Sequence, residues 1–145
     1  MPAGGLKKTG SGEKAGVTRG LHAEPWDKFV SVATGAVFGA WCDLRADSPT
    51  YGATVTQRIE PDTAVFVPRG VANGFQALHD ATSYTYLVND HYSPEASYTS
   101  VNLNMIDWPL EPREISAKDR QHPQPADAPP MPPRKIPAPG ADGQP

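Results

Sequence analysis

Short β-rich runs separated by turn residues are the feature that most constrains the fold of this chain. The runs follow one another at a spacing of about ten residues, and no helical pattern lies between them. Seventeen prolines and thirteen glycines in 145 residues interrupt any long helix. We therefore expect an all-β fold, a double-sheet jelly roll. The clearest runs are Asp27–Thr34, Ala36–Leu44, Ala53–Ile59, Thr63–Val67, Asn73–Leu78 and Ser83–Val88.

Two central runs are expected to be covered on both faces. Asp27–Thr34 and Ala36–Leu44 carry apolar residues at odd and even positions alike. The Thr34-Gly35 pair between them predicts a tight hairpin. Cys42 is the single cysteine, which excludes a disulfide framework and favours a buried, inert thiol.

Composition divides the chain into three parts. Residues 1–15 are rich in Gly, Lys, Ser and Thr without a strand pattern, so a flexible segment is expected there. Residues 16–120 carry the apolar runs and form the predicted domain. Residues 121–145 are dominated by Pro, Ala and Gly, which predicts a disordered tail. One modest core fits a domain of this size.

Charge and hydropathy exclude several classes of partner. The net charge is −3 and the basic residues are not clustered, which argues against nucleic-acid binding. No secretory leader pattern and no apolar run approaching the length of a membrane span is present. We therefore expect a cytoplasmic protein that has no membrane partner.

Polar residues concentrate in residues 16–30, between strand-like runs. Arg19, His22, Glu24 and Lys28 would each cost free energy if buried without a partner, so the stretch indicates a polar pocket. The alternative is a solvated loop with a core histidine. Proton abstraction beside a carbonyl needs a base, an oxyanion donor and a proton donor, and His22, Lys28 and Tyr86 are candidates. The alternative for Tyr86 is core packing with its hydroxyl at the rim, which is the commoner fate of strand tyrosines.

Metal and nucleophile chemistries fit the residues less well. His22-x-Glu24 supplies two metal ligands, but the later strand turn carries the amide Asn73, and His79 and His91 lie in turn-like segments. No serine elbow is present, and Cys42 has no cationic neighbour in sequence. We therefore expect neither a metal site nor a bound cofactor.

The ordered motifs between residues 16 and 120 resemble the dTDP-4-dehydrorhamnose 3,5-epimerase family. This resemblance implies a cupin fold, which is a double-stranded β-helix, and a homodimer that uses no metal. It also implies epimerisation at C3, C5 or both carbons of a dTDP-4-keto-6-deoxy sugar, in dTDP-rhamnose or related deoxysugar biosynthesis. The motifs are Gly16–His22, Lys28–Val32, Val37–Gly52, Phe66–Phe75, Tyr86–Glu95, Ile106–Leu110 and Ile115–Arg120.

The resemblance also implies roles for individual residues. His22 would be the general base and Asp119 the acid that orients its imidazole. Lys28 would stabilise the enolate oxygen, and Tyr86 would return the proton to the opposite face of the ring. The implied substrate-binding residues are Arg19, which would hold the pyrophosphate, Asn73 and Tyr92.

Three departures from the family pattern set the alternatives. Asn73 and Gly39 stand where the family usually has a His and an acid, which suggests that a supporting pair is lost. The opening fifty or so residues of typical members are lacking, and the C-terminal stretch differs from the family. A catalytically impaired nucleotide-sugar-binding remnant is therefore the main alternative, and a metal cupin is a further one.

The last residues carry a weak pattern of their own. Gly140 and Gly143 have the spacing of a dinucleotide-binding glycine turn, but Pro137 and Pro139 would block the preceding strand. One hypothesis is a piece of an epimerase–reductase fusion, and the alternative is an ordinary disordered tail.

Overall fold

Two antiparallel sheets face each other across residues 5–133, the part of the chain that the computed structural model describes. Within those residues the strands are β1 (Gly5–Glu13), β2 (Thr18–Ala23), β3 (Lys28–Thr34), β4 (Val37–Asp43), β5 (Thr54–Ile59), β6 (Ala64–Val67), β7 (Val71–Ala77), β8 (Thr82–Val88) and β9 (Thr99–Ser100). One short helix, α1 (Ala117–Arg120), and two 3₁₀ turns, Leu103–Met105 and Pro125–Asp127, follow.

The strand order explains how distant residues meet. The four-stranded sheet runs β1-β8-β3-β6, and the five-stranded sheet runs β5-β4-β7-β2-β9. Strands that are adjacent in sequence therefore often lie in opposite sheets, as in a jelly roll. The predicted all-β double-sheet fold is confirmed.

A first apolar cluster fills the space between the two sheets. It contains Val30 and Val32 from β3, Tyr84 from β8, and Trp41 and Phe75 from the five-stranded sheet. The ring centroids of Phe75 and Tyr84 are 4.1 Å apart in a stacked arrangement. Burial of these side chains holds the two sheets together.

A second apolar cluster covers the outer face of the five-stranded sheet. Leu21, Cys42 and Leu44 pack there against Leu103 and Met131 from the later chain. Strand β4 is therefore buried on both faces, as its sequence predicts. Cys42 is buried and free, and burial raises the pKa of its thiol to about 11. This agrees with the expected inert thiol.

The predicted hairpin at Thr34-Gly35 is wrong. β3 pairs with β6 and β8 in one sheet, whereas β4 pairs with β5 and β7 in the other. The chain crosses between sheets at Gly35, whose φ is +79° and whose added Cβ would lie 2.8 Å from the Thr82 Cα. A glycine turn reverses the chain, but it does not choose the pairing partner.

In the single chain the prediction that β3 is covered on both faces is also wrong. Phe29 is 47% exposed and lies opposite Phe66 on β6 and Leu87 on β8, both of which are exposed. Apolar residues at both parities therefore indicated an apolar outer face, which nothing in residues 5–133 covers.

Parts of the two stretches that the sequence predicts to be flexible or disordered have defined structure within residues 5–133. Gly5–Glu13 is strand β1, which pairs with β8 from Gly5 opposite Val88 to Glu13 opposite Thr82. On the edge of β8 that faces away from β3, the backbone groups are left unpaired by β3, and any extended segment can pair with them. Strand β1 therefore forms without a β-rich composition.

The chain after residue 120 is also ordered as far as the structure describes it. Met131 is 2% exposed, and its backbone N–H donates to the Leu44 carbonyl at 2.7 Å. Ala128 and Met131, although they lie in a proline-rich segment, thus pack into the apolar cluster on the outer face of the five-stranded sheet. The glycine pattern at 140–143 lies outside the described residues.

Within residues 5–133, no helix has the length and apolar character needed to cross a bilayer.

Candidate active site

The two sheets enclose a polar cavity of about 150 Å³ at the open end of the inter-sheet core. β2 contributes Arg19 and His22, and Lys28 begins β3. Five of the seven residues selected from the sequence therefore line one cavity. Its full lining is Arg19, His22, Glu24, Lys28, Asn73, Gly74, Phe75, Tyr84 and Tyr86.

Asp119 lies directly behind His22, although 97 residues separate them in sequence. His22 Nε2 is 3.2 Å from Asp119 Oδ1. The Gly20 backbone N–H donates to Asp119 Oδ2 at 3.3 Å. Burial opposes ionisation of Asp119, but its contacts with His22, the Gly20 N–H and His122 outweigh burial and lower its pKa to about 2. The carboxylate is therefore ionised at neutral pH.

The two ring nitrogens of His22 have different partners. A carboxylate accepts hydrogen bonds only, so Nε2 carries the proton that faces Asp119. In the neutral ring Nδ1 then holds the lone pair, and it lies 3.0 Å from Ser100 Oγ. Nδ1 is thus the basic nitrogen, and the Ser100 hydroxyl donates to it. Ser100 lies opposite His22 in the β2–β9 pairing.

Lys28 supplies a buried positive charge near the imidazole. Its residue exposure is 4%, and its Nζ is 2.5 Å from Glu24 Oε1. The Nζ also lies 5.6 Å from the centroid of the Tyr86 ring. The carboxylate compensates for removing the ammonium group from water. Glu24 belongs to the polar stretch of residues 16–30, but its sequence context indicates no function.

Asn73 is part of a buried hydrogen-bonded pair. Its Nδ2 donates to the Tyr84 hydroxyl at 3.0 Å, and the Tyr84 hydroxyl is 3.3 Å from Asn73 Oδ1. Burial raises the pKa of Tyr84 well above its usual value. The hydroxyl therefore stays protonated at physiological pH.

Gly39 does not contribute to this pair. A Cβ at Gly39 would lie 2.5 Å from Trp41 Cη2 and 3.2 Å from Ile59 Cδ1. The indole of Trp41 therefore occupies the room that an acidic side chain would need. The two positions of the suspected His–acid pair are thus occupied in different ways. The Trp41 indole takes the space beside Gly39, and the Tyr84 hydroxyl bonds to Asn73.

Arg19 and Tyr92 lie on either side of the imidazole. Arg19 Nη1 donates to the Glu114 carbonyl at 3.0 Å, and Nη2 is 3.6 Å from Glu13 Oε1. Tyr92 is 69% exposed and stacks on Tyr98 at a centroid distance of 5.4 Å.

A second cavity of about 350 Å³ adjoins the first at His22 and Glu24. Aromatic rings form much of its wall: Trp26 packs edge-on against Tyr98 at 5.7 Å, and Tyr98 stacks on Tyr92. The second cavity can take a flat, partly apolar group while a polar group occupies the first. All seven residues selected from the sequence therefore contact one continuous site.

His22, Asp119 and His122 are the described residues that come closest to a metal-ligand set. Their donor atoms lie within 4.8 Å of one another. Both imidazole Nε2 atoms, however, hydrogen-bond to the same Asp119 oxygen, at 3.2 Å and 3.1 Å. The cluster is therefore a hydrogen-bonded network in which both Nε2 atoms share one carboxylate oxygen.

A larger cavity, of about 510 Å³, lies away from these groups, beside residues 45–50 and Pro132. Its neighbour Asp43 accepts hydrogen bonds from Arg45, Ser48 and Thr50. These hydrogen bonds hold the turn of residues 43–50 together. No imidazole lines that cavity, so it lacks the base that the first cavity has.

The family comparison agrees with the geometry. A family model described as dTDP-4-dehydrorhamnose 3,5-epimerase matches residues 5–127. The chain belongs to this epimerase family.

Members of the epimerase family from several bacteria resemble the chain over most of its length. A protein named RmlC homolog from Streptococcus pyogenes serotype M6 is 41% identical over 141 residues, covering 92% of this chain and 71% of the relative. A dTDP-4-dehydrorhamnose 3,5-epimerase from Pseudomonas aeruginosa is 36% identical over 122 residues, covering 78% of this chain and 67% of the relative.

Solved structures of family members share the fold. RmlC from Streptococcus suis, solved in complex with dTDP-D-xylose, superposes with a TM-score of 0.76 at 43% identity. The superposition covers 90% of this chain and 69% of the Streptococcus suis chain. The enzyme from Legionella pneumophila, in complex with dTDP-4-keto-L-rhamnose, gives a TM-score of 0.71 at 32% identity. This superposition covers 86% of this chain and 69% of the Legionella chain. The cupin assignment is confirmed.

Proposed function

We propose that this member of the epimerase family inverts C3, C5 or both carbons of a dTDP-4-keto-6-deoxyhexose, in dTDP-rhamnose or related deoxysugar biosynthesis. The observation that carries the proposal is one cavity in which a carboxylate-backed imidazole faces a buried ammonium group and a phenol. Both carbons flank the C4 ketone, so one oxyanion site can serve both inversions. Family members solved with dTDP-sugars support this choice of substrate.

His22 removes the proton next to the ketone. Its Nδ1 takes the proton, the C–H electron pair forms a carbon–carbon double bond, and the ketone oxygen becomes an enolate. Asp119 stabilises the imidazolium that results, because it is ionised and holds the opposite nitrogen. The Ser100 hydroxyl must leave Nδ1 when the substrate arrives.

Lys28 stabilises the enolate oxygen. A buried ammonium acts in a region of low dielectric, where a charge–charge contact is much stronger than in water. Glu24 keeps the ammonium in place before the substrate binds. The enolate oxygen then shares Nζ with Glu24, so positive charge is already positioned when negative charge develops.

Tyr86 returns a proton to the opposite face of the sugar ring. Strand β8 offers two phenols to the cavity, Tyr84 and Tyr86. Tyr84 is held by Asn73, and its pKa is raised by burial, which makes it the poorer acid. Tyr86 lies beside Lys28 and is the better placed of the two. No oxidant, reductant or metal enters this reaction scheme.

The substrate-binding residues follow from position. Arg19 offers a guanidinium to the pyrophosphate at one side of the cavity. Tyr92, on the aromatic wall of the second cavity, offers a face to the thymine ring. The Asn73 amide contacts the sugar from the floor of the first cavity.

A homodimer is the assembly we propose, formed through the outer face of the four-stranded sheet. Phe66, Phe29 and Leu87 lie side by side across β6, β3 and β8 and are exposed in the single chain. A row of large exposed apolar groups is typical of an interface. Phe29→Lys should produce a monomer in analytical ultracentrifugation, and Glu60→Lys, in an exposed turn, should not.

The compartment we propose is the cytoplasm.

Proton exchange tests the proposed reaction. The protein is incubated with dTDP-4-keto-6-deoxyglucose in deuterated water, and C3 and C5 are followed by NMR. We expect label at one or both carbons, and its loss in His22→Ala by a factor of about 10² to 10⁴. The control is His79→Ala, in the exposed turn before β8. Binding of substrate by folded protein without any exchange would contradict the proposal and favour a binding remnant.

A further inference from the structure

We propose that His122 is a positioning residue of the site, which fixes Asp119 against His22 through a shared carboxylate oxygen. The inference rests on the proposed function. His122 belongs to the segment that sequence analysis expected to be a disordered tail, and the described structure places it against the general base.

The shared oxygen is the central observation. Asp119 Oδ1 lies 3.2 Å from His22 Nε2 and 3.1 Å from His122 Nε2. Because the carboxylate is ionised, each imidazole donates an N–H to it. The other oxygen, Oδ2, accepts from the Gly20 backbone at 3.3 Å. Three donors, two from β2 and one from the segment after α1, therefore hold both oxygens of the carboxylate.

The local fold explains why two side chains converge on one point. Ser116 caps α1 by accepting from the Asp119 backbone N–H at 3.0 Å. The helix ends at Arg120 with Gln121 as its C-cap, and His122 directly after the cap places its ring against Asp119. The His22 and His122 rings then meet edge to face, with centroids 5.4 Å apart.

His122 is itself held in place from behind. Its carbonyl accepts from Asn102 Nδ2 at 3.2 Å, and the next carbonyl, of Pro123, accepts from the Asn102 backbone N–H at 2.8 Å. The His122 side chain is only 18% exposed. The second imidazole is therefore built into the site, and its contact with Asp119 is not that of a mobile chain end.

This arrangement predicts a defined effect on the reaction. Without the second donor, Oδ1 would have His22 alone as its partner, and Asp119 could rotate about its side-chain torsions. The His22 ring would then lose the fixed orientation that places Nδ1 toward the substrate carbon. Because His122 does not line the substrate cavities, substrate binding should not change. The loss should appear in kcat and leave KM unchanged.

Two substitutions separate the hydrogen bond from the packing of the ring. His122→Phe keeps the edge-to-face contact with His22 but has no donor. His122→Gln loses the ring but can place an amide N–H where Nε2 is now. We expect kcat to fall about tenfold in the Phe variant with KM unchanged, and to recover most of the wild-type value in the Gln variant. His79→Phe, in an exposed turn, is the matched control.

The outcomes are decisive in both directions. Wild-type kcat in the Phe variant, or an equal loss in the Gln variant, would overturn the role assigned to His122. If the Phe variant fails to fold, His122→Asn takes its place, because its shorter amide cannot reach Oδ1. NMR of the His22 Nε2–H resonance gives a readout that needs no turnover: the resonance should shift in the Phe variant and stay near its wild-type position in the Gln variant. An absence of exchange by the wild-type protein would refute the proposed function alone.

Discussion

Replacing Asp119 by Asn tests whether the ionised carboxylate supports the base. Asn keeps the shape of the side chain and one acceptor oxygen but removes the charge. In the folded protein the pKa of Asp119 is lowered from 3.8 to about 2, despite burial, by its contacts with His22, the Gly20 N–H and His122. A shift of this size corresponds to at most about 2 kcal/mol of preference for the ionised form. The same carboxylate faces the imidazolium that forms during proton abstraction.

Two measurements follow from that magnitude. A loss of about 2 kcal/mol of transition-state stabilisation lowers kcat about 30-fold, which deuterium wash-in at C3 and C5 would report. The folded-state pKa is depressed, so the contribution of Asp119 to stability is fully present above pH 4 and disappears as the pH falls toward 2. Urea unfolding should therefore show Asp119→Asn to be less stable than wild type at pH 7, with the difference shrinking below pH 4. Equal kcat values together with a difference that does not depend on pH would refute this reasoning.

Three further changes have defined outcomes. Tyr86→Phe should leave exchange of label on the original face while the inverted product disappears by NMR, and an equal loss of both would indicate a packing role. Asp43→Ala removes the acceptor for Arg45, Ser48 and Thr50, so urea unfolding at pH 7 should show a free energy of unfolding lower by about 3 kcal/mol. A decrease below about 1 kcal/mol would contradict the stabilising role of these hydrogen bonds. Gly39→Asp should destabilise the fold by about 3 kcal/mol or more, because its Cβ would lie 2.5 Å from Trp41 and its carboxylate would be buried among apolar groups. Adding Asn73→His should not rescue that variant in thermal melts.

The residues of the site could be selected from the sequence because the family motifs carry them. Composition and spacing alone predicted a polar pocket near residues 16–30 and left open whether His22 was a base or a core histidine. The resemblance added Asp119 and gave Tyr86 a defined role. In the structure Tyr86 lines the same cavity as His22, and Asp119 lies behind the His22 ring. Ser100 could not be selected in this way. It contacts the base only because β9 pairs with β2, and a two-residue strand leaves no recognisable pattern.

Strand positions were easier to predict than strand partners. Alternation and turn residues locate β3 to β8 within a few residues, because each signal is local. Pairing depends on which backbone edge is free in the assembled fold, and no local signal reports that. The failed hairpin at Thr34-Gly35 and the unexpected strand β1 have this common cause.

The segment after residue 120 shows the same limit at the site itself. Its proline-rich composition predicts a disordered tail, whereas residues 121–133 contain the 3₁₀ turn Pro125–Asp127 and a bridge between Met131 and Arg45. Lack of regular structure does not mean lack of order, because proline reduces the conformational entropy that ordering costs. Met131 then needs only one apolar pocket on the five-stranded sheet, and His122 only one carboxylate. Met131 packs against residues that lie tens of positions away in sequence, whereas the carboxylate that His122 contacts is only three residues away. The sequence offers one local clue, the short spacing of Asp119 and His122 after the serine cap, because the chain that leaves a single helical turn stays close to that turn.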